Sequence, residues 1–308
     1  MIVFHALDEA IGRFSNPVVA VGNFDGVHLG HRSIIDSAVN RAMTLGKDCV
    51  IVTLDPHPQL VLGFKRNGFL LTPLNEKLRM LSEHPVSGVL VLRFDKELAA
   101  TEPEIFVKDV YVEALHISEL IVGFSHAFGR FGRGNADLLK SLGAKFGFSV
   151  QIILPYHAED RVVGSSLIRA ALNSGDIDTA TRLLGHPYTV TGRVIKGEGR
   201  GRHLQFPTAN LELNDTNQLL PKRGVYAVKV EVGENRHNGV MNIGVRPTFG
   251  IAEEKCEIHI LDFNREIYGS SIRYSVVKRI RDEVKFSGIN QLRTHIARDV
   301  QKARELLS

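Results

Sequence analysis

Residues 18 to 31 read VVAVGNFDGVHLGH, and this stretch decides the first half of the fold. Four apolar residues in a row suit a strand buried on both faces. Glycines at 22, 26 and 30 then let the backbone turn tightly and approach a ligand, and the amphipathic segment from Ser33 to Leu45 predicts a helix. Strand, turn and helix start together make an anion site, because the first N–H groups of a helix have no partner within it. His28 and His31, three apart at that turn, can aim both imidazoles at one phosphate. One histidine there would be an ordinary surface or core residue; two, spaced by Leu29 and Gly30, point to function.

The same alternation continues outward. VIVTL (50–54) precedes an amphipathic Pro73 to Ser82, GVLVL (88–92) precedes Pro103 to Leu115, ELIVGF (119–124) precedes Ala136 to Phe146, and VQIIL (150–154) follows. This predicts an α/β domain with a parallel, Rossmann-like sheet covered by helices on both faces, its ligands bound at the carboxyl ends of the strands. Ser165 to Asn173 reads as a helix ended by Gly175, and Asp176 as the cap of a second helix that stops at Gly185. From Tyr188 the period changes to strand-like runs: YTVTGRVI (188–195), GVYAVKVEV (224–232), HNGVMNIG (237–244), KCEIHIL (255–261) and SIRYSVVKRI (271–280). Helical spacing returns only over Gln291 to Leu307, which predicts a small β-barrel closed by one helix. The boundary is expected at Gly185 to Pro187, giving one domain of residues 1–185 and another of 186–308.

Composition agrees with two soluble domains. At 308 residues the chain is long for a single core, and 44% hydrophobic with 23% charged residues excludes a disordered or fibrous chain. No apolar run approaches the roughly 18–20 residues that cross a bilayer, so no membrane partner and a cytoplasmic location are expected. Cys49 and Cys256 sit in separate strands without metal-ligand spacing and read as buried free thiols. A formal charge of +4 and a pI near 9.0 suit either nucleic acid or a polyphosphate substrate. The densest basic segment, Arg193 to His203, is interleaved with glycines as a phosphate-binding loop would be.

Three further motifs carry chemistry. Asp55-Pro56-His57-Pro58 follows the second strand, where a loop reaches the same cleft. Gly164-Ser165-Ser166-Leu167-Ile168-Arg169 opens a helix with two hydroxyls and a guanidinium, groups that suit phosphate. Residues 192–211, GRVIKGEGRGRHLQFPTANL, place glycines at 192, 197, 199 and 201 among Lys196, Arg200 and Arg202, a spacing that matches neither the Walker loop nor the dinucleotide fingerprint.

His28-Leu29-Gly30-His31 resembles the HxGH signature of the nucleotidyltransferase superfamily, and the longer run from Phe24 to His28 is similar to the bacterial FAD synthetase family over nearly the whole chain. That resemblance implies attack on the α-phosphate of ATP with pyrophosphate leaving. It implies ATP-binding roles for Gly22, Asn23, Phe24, Asp25, Gly26, His28, His31, Ser165, Ser166 and Arg169, with the two histidines catalytic. Contact with FMN falls to Asp55, Pro56, His57 and Ser125. The chain departs from the family at Leu54, where Phe is usual, at Gly164 and Ser166, where Ser and Thr are usual, and at Ser125 and His126, where Asp or Asn precedes Phe. Phe128, Gly129, Arg133 and Gly134 match.

Pro207-Thr208-Ala209-Asn210 resembles the riboflavin kinase signature, with Gln205 in place of its leading Gly, and GVYAV (224–228), NIGVRPTFG (242–250) and Tyr268-Gly269 match that family too. The resemblance implies that Gly192, Lys196, Gly197, Arg200, Gly201, Arg202, Pro207, Thr208 and Asn210 bind ATP. Thr208 and Asn210 offer hard oxygen ligands to Mg2+, and Glu257 is the catalytic base that takes a proton from the ribityl 5′-hydroxyl. The implied function is flavin cofactor synthesis: riboflavin and ATP give FMN, then FMN and ATP give FAD. A second reading keeps the kinase and weakens FAD formation through Gly164, Ser125 and His126. A third, a flavin-responsive nucleic-acid-binding protein, rests on the basic pI alone and ranks below both, because Glu257, Thr208 and Asn210 are all present.

Overall fold

The computed structural model describes residues 1–308 apart from 66–67, 159, 198–200, 202–204, 249–250 and 285, with the backbone alone at 246–248 and 251–253. The chain forms two compact units, one of Met1–Arg66 with Thr72–Ser165, the other of Asn67–Leu71 with Ser166–Ser308.

In the first unit six parallel strands, β1 (Ile2–Phe4), β2 (Val18–Val21), β3 (Cys49–Asp55), β4 (Gly88–Arg93), β5 (Glu119–Gly123) and β6 (Ser149–Ile153), lie in the order β1-β4-β3-β2-β5-β6. Alternate residues point to opposite faces. Val19, Val21, Val50, Val52 and Leu120 pack on one side, and Val18, Ala20, Ile51, Val89 and Ile121 on the other. Both faces are covered, which is why the strands read as unbroken apolar runs. Cys49 belongs to this core, where burial, aided by the Asp48 carboxylate, pushes its thiol up to about 12, so it is an inert packing residue.

The expected helices stand with small changes of length. Leu29–Leu45 begins at the histidine turn, Leu74–Leu81 follows β3, and Ala136–Phe146 is capped by Asn135, whose Oδ1 accepts the Leu138 N–H at 3.0 Å. The expected helix from Pro103 to Leu115 is instead a short α turn, Pro103–Phe106, continued by π-helical Val107–Ala114. A hairpin of β7 (His157–Ala158) and β8 (Arg161–Val162) completes the unit.

The second unit is a closed antiparallel barrel of β9 (Tyr188–Ile195), β10 (Ala209–Leu213), β11 (Gly224–Val232), β12 (Asn235–Thr248), β13 (Ile251–Ile260) and β14 (Ser271–Arg281), in the order β10-β13-β12-β11-β14-β9. Closure leaves no unpaired edge. The helices Ser165–Ser174 and Ile177–Leu184 stand with this barrel: the Lys222 N–H donates to the Leu172 carbonyl at 2.9 Å and Lys278 pairs with Asp178 at 2.5 Å. The compact units therefore divide earlier in the chain than Gly185 to Pro187. Asp176 and Gly185 cap as expected, Asp176 accepting the Thr179 N–H at 3.0 Å and Gly185 taking φ 76°. The C-terminal helix Ile289–Leu307 sets Ala303 and Leu307 against Val225, Ala227, Val240 and Leu261 on the outside of the barrel.

Candidate active sites

The strand order of the first unit reverses at β2, from which the chain runs to β3 and β4 on one side and later to β5 and β6 on the other. Ligands of such sheets bind at the carboxyl ends beside that reversal. The turn after β2 holds the histidine pair there. Phe24, Gly26 and Val27 all take positive φ, 48°, 92° and 38°, a conformation that costs energy at the two non-glycine residues and marks a shape kept for use.

His28 caps the helix Leu29–Leu45, its Nδ1 accepting the His31 N–H at 3.2 Å while its carbonyl takes the Arg32 N–H at 2.9 Å. The two imidazoles stack at 3.6 Å and 15°, and Phe24 meets His31 edge-on at 5.4 Å. A Cβ at Gly30 would lie 3.2 Å from the His28 ring and 3.4 Å from the Val163 carbonyl, so only glycine fits without a shift. An Nδ1 that accepts carries no proton, so neutral His28 bears it on Nε2, as a donor suited to an anion. Asp25 is buried; its Oδ1 accepts the Thr72 N–H at 3.0 Å and its carbonyl accepts the Ser165 hydroxyl at 2.9 Å. The structure thus joins Asp25 and Ser165 to the histidine turn.

Asp55 ends β3, and His57 caps the turn Pro58–Val61 with Nδ1 accepting the Gln59 N–H at 3.2 Å. Asp55 and Pro56 line a cavity of about 560 Å³ together with His5, Val61, Leu74 and Arg93. Sequence reasoning missed His5 and Arg93; Arg93, the last residue of a buried strand, carried the only legible signal. Ser125 is exposed on the turn after β5. Its neighbour His126 stacks on Phe128 at 5.6 Å, and burial pulls its imidazole down to about 4, so it is neutral at pH 7. In the second unit, Ser166 is exposed, whereas Arg169 donates from Nε to the Phe69 carbonyl at 2.8 Å and lays its guanidinium 3.7 Å over the Phe69 ring.

On the barrel, Asn210 of β10 stands directly opposite Glu257 of β13, and Glu257 stands opposite Asn242 of β12. Cys256 and Ile258 point inward and are buried, so by alternation these three polar residues share the outer face. Thr208 and Asn210 line a cavity of about 440 Å³ with Gly197, Gly201, Pro207 and Tyr268. A side chain at Gly197 would collide with the Asn210 carboxamide. Gly192 lies within β9 and Lys196 is exposed just beyond it, while Arg200 and Arg202 fall outside the described residues.

His259, two residues beyond Glu257 on the same face, donates from Nδ1 to the Pro207 carbonyl at 2.7 Å and meets Phe206 edge-on at 5.5 Å. The Pro-Thr-Ala-Asn turn is thereby tied to the strand that carries Glu257. Gln205, where the related signature has Gly, takes φ 67° and accepts from Arg293 at 2.5 Å. The left-handed conformation has been kept without the glycine that favours it. His259 and Asn242 could have been found from strand alternation once the pairing of β10, β13 and β12 was known.

Comparison with known proteins agrees with both halves. The FAD synthetase family model matches residues 12–167 and the riboflavin kinase model residues 184–307. A bifunctional riboflavin kinase/FMN adenylyltransferase of Bacillus subtilis is 39% identical over 93% of this chain and 91% of its own; its Escherichia coli counterpart is 36% identical over 94% and 92%. A solved structure described as a macrolide-efflux protein from Streptococcus pneumoniae is 30% identical, with a TM-score of 0.89 over 99% of both chains. Among the described residues of this chain no helix is long and apolar enough to cross a membrane. Two family models in tandem and relatives matched over nearly their whole length leave one conclusion: the chain belongs to the bifunctional riboflavin kinase/FMN adenylyltransferase family.

Proposed function

We propose that this chain makes FMN from riboflavin and FAD from FMN, with adenylyl transfer in residues 1–185 and phosphorylation in residues 186–308. The observation that carries the reading is the stacked His28–His31 pair at a helix N-terminus beside the strand reversal. His28 Nε2–H and the N–H groups of that helix start donate to polyphosphate oxygens. They offset the negative charge that grows as a phosphate oxygen of FMN attacks the α-phosphorus and pyrophosphate leaves. The cavity bordered by Asp55 and Pro56 takes FMN, with Arg93 as a cationic partner for its phosphate.

In the barrel, Glu257 accepts the proton of the ribityl 5′-hydroxyl as that oxygen attacks the γ-phosphorus of ATP and ADP leaves. Thr208 and Asn210 fit Mg2+, which takes one or two protein oxygens beside phosphate and water, and both line one cavity. When bound, the ion neutralises charge on the polyphosphate. ATP is the co-substrate of both steps, which fits work in the cytoplasm.

The test is a product assay with riboflavin and Mg-ATP that resolves FMN and FAD in one run. Both products are expected in sequence, FMN first; FMN alone would leave only the kinase half of the reading.

A further inference from the structure

Lys77 lies in the helix Leu74–Leu81 beside Glu76 and Arg79, in a charged stretch that reads as a solvated face, yet it is only 4% exposed. Burial pulls its ammonium down from the ordinary lysine range, against the carboxylates of Asp25 and Asp55, which push it up. Nζ donates to Thr53 Oγ1 at 3.4 Å, and that hydroxyl donates in turn to the Asn23 carbonyl at 3.2 Å. A hydroxyl can accept and donate at once, so the chain of bonds is consistent. Asp25 is 2% exposed and Thr53 fully buried.

Three segments therefore converge on one ammonium. The turn after β2 contributes Asn23 and Asp25, the end of β3 contributes Thr53 and Asp55, and the helix contributes Lys77 itself. The first two segments are those that carry His28 and His57. A buried ammonium, hydrogen-bonded through Thr53 Oγ1 and influenced by the charges of Asp25 and Asp55, is a poor source of stability, since apolar residues of similar volume often serve as well or better. What a fixed charge supplies here is the relative placement of two turns.

We propose that Lys77 is a positioning residue for adenylyl transfer, holding the turn that carries His28 and the turn that carries His57 in one register at the carboxyl end of the sheet. The inference rests on the assignment of FAD formation to the first unit. Displacement of reacting groups by about 1 Å can cost roughly 100-fold in rate, and that sets the size of the effect.

Full-length Lys77→Met, Lys77→Arg and Thr53→Val are compared with the parent for FAD formation from FMN and Mg-ATP, FMN formation from riboflavin, and thermal unfolding. Lys77→Met is expected to lower kcat for FAD by roughly 100-fold, with KM for FMN and ATP changed far less and FMN formation within about twofold of the parent. Lys77→Arg, which keeps the charge, recovers about tenfold of that loss. Thr53→Val, which keeps the shape and removes the bridging hydroxyl, loses about tenfold with unfolding unchanged. A Lys77→Met protein that makes FAD at the parental kcat overturns the proposal. If that variant melts the first unit, Thr53→Val decides, and a parental rate there overturns it equally. A parent that makes FMN and no FAD removes the reaction assignment itself, an outcome told apart by the parent's own rate.

Discussion

Asn210 and Glu257 are cross-strand partners on β10 and β13, side by side on the outer face of the barrel. Directly opposite residues have Cβ atoms about 4.5–5.5 Å apart, so the residue proposed to hold the metal and the residue proposed as the base stand within one ligand's reach. Glu257→Gln keeps the size and hydrogen-bonding shape and removes the base. The kinase kcat should fall by about 10²–10⁴-fold with KM for riboflavin little changed, measured as FMN formation at saturating ATP. An unchanged kcat would remove Glu257 from the chemistry.

His259 gives a subtler test. Its bond to the Pro207 carbonyl holds the turn that presents Thr208. His259→Phe keeps the packing on Phe206 and loses one hydrogen bond worth about 1 kcal/mol, so KM for ATP in the kinase reaction should rise about fivefold. Steady-state kinetics with ATP varied checks this; an effect confined to riboflavin would place His259 elsewhere.

Much of this could be read beforehand, for definite reasons. Strands β2 to β5 are buried on both faces, so their apolar runs are unbroken. Asp176 and Gly185 announce the ends of a helix by residue type alone. What escaped was short, marginal or decided by tertiary contact. β1 has three residues at a sheet edge with Ile2 58% exposed, and β10 begins only two residues after Pro207, with polar Asn210 and Glu212 breaking its apolar pattern. The Asn210–Glu257–Asn242 row exists only once three distant segments pair, and no local period encodes that register. Lys77 was illegible because its sequence neighbours are those of a solvated helix face.

Asp176 offers a test on stability rather than rate. The Thr179 N–H holds its carboxyl below the ordinary range, with help from Thr179's hydroxyl and the Arg182 and Lys278 charges. A carboxyl lowered in the folded state stabilises fully above its unfolded value of about 3.9 and loses that contribution as pH falls through the folded value. Asp176→Ala should therefore cost about 1 kcal/mol at pH 7, seen as a lower unfolding midpoint of the second unit. The difference from the parent should shrink below pH ~4; a constant difference across that range would deny the charged cap.

Ser125 is exposed on the turn after β5, where the motif that the sequence resembles has Asp or Asn, and half-buried, neutral His126 beside it adds no charge. A serine hydroxyl is shorter than either usual residue, and one lost contact costs about 1–3 kcal/mol. Ser125→Asn should lower the FMN concentration needed for FAD formation by roughly five- to 150-fold and leave FMN formation alone. A rise in that concentration, with the domain folded, would mean that this loop uses a contact scheme of its own.

The central claim is that two separate constellations on one chain perform two successive reactions. It is tested most directly by following FMN and FAD together in the parent, in His28→Ala with His31→Ala, and in Glu257→Gln. The histidine variant should turn riboflavin into FMN at the parental rate and form no FAD. Glu257→Gln should form FAD from supplied FMN at the parental rate and almost no FMN from riboflavin. If either variant lowers both products in equal measure while remaining folded, the two reactions share a site and the account is wrong.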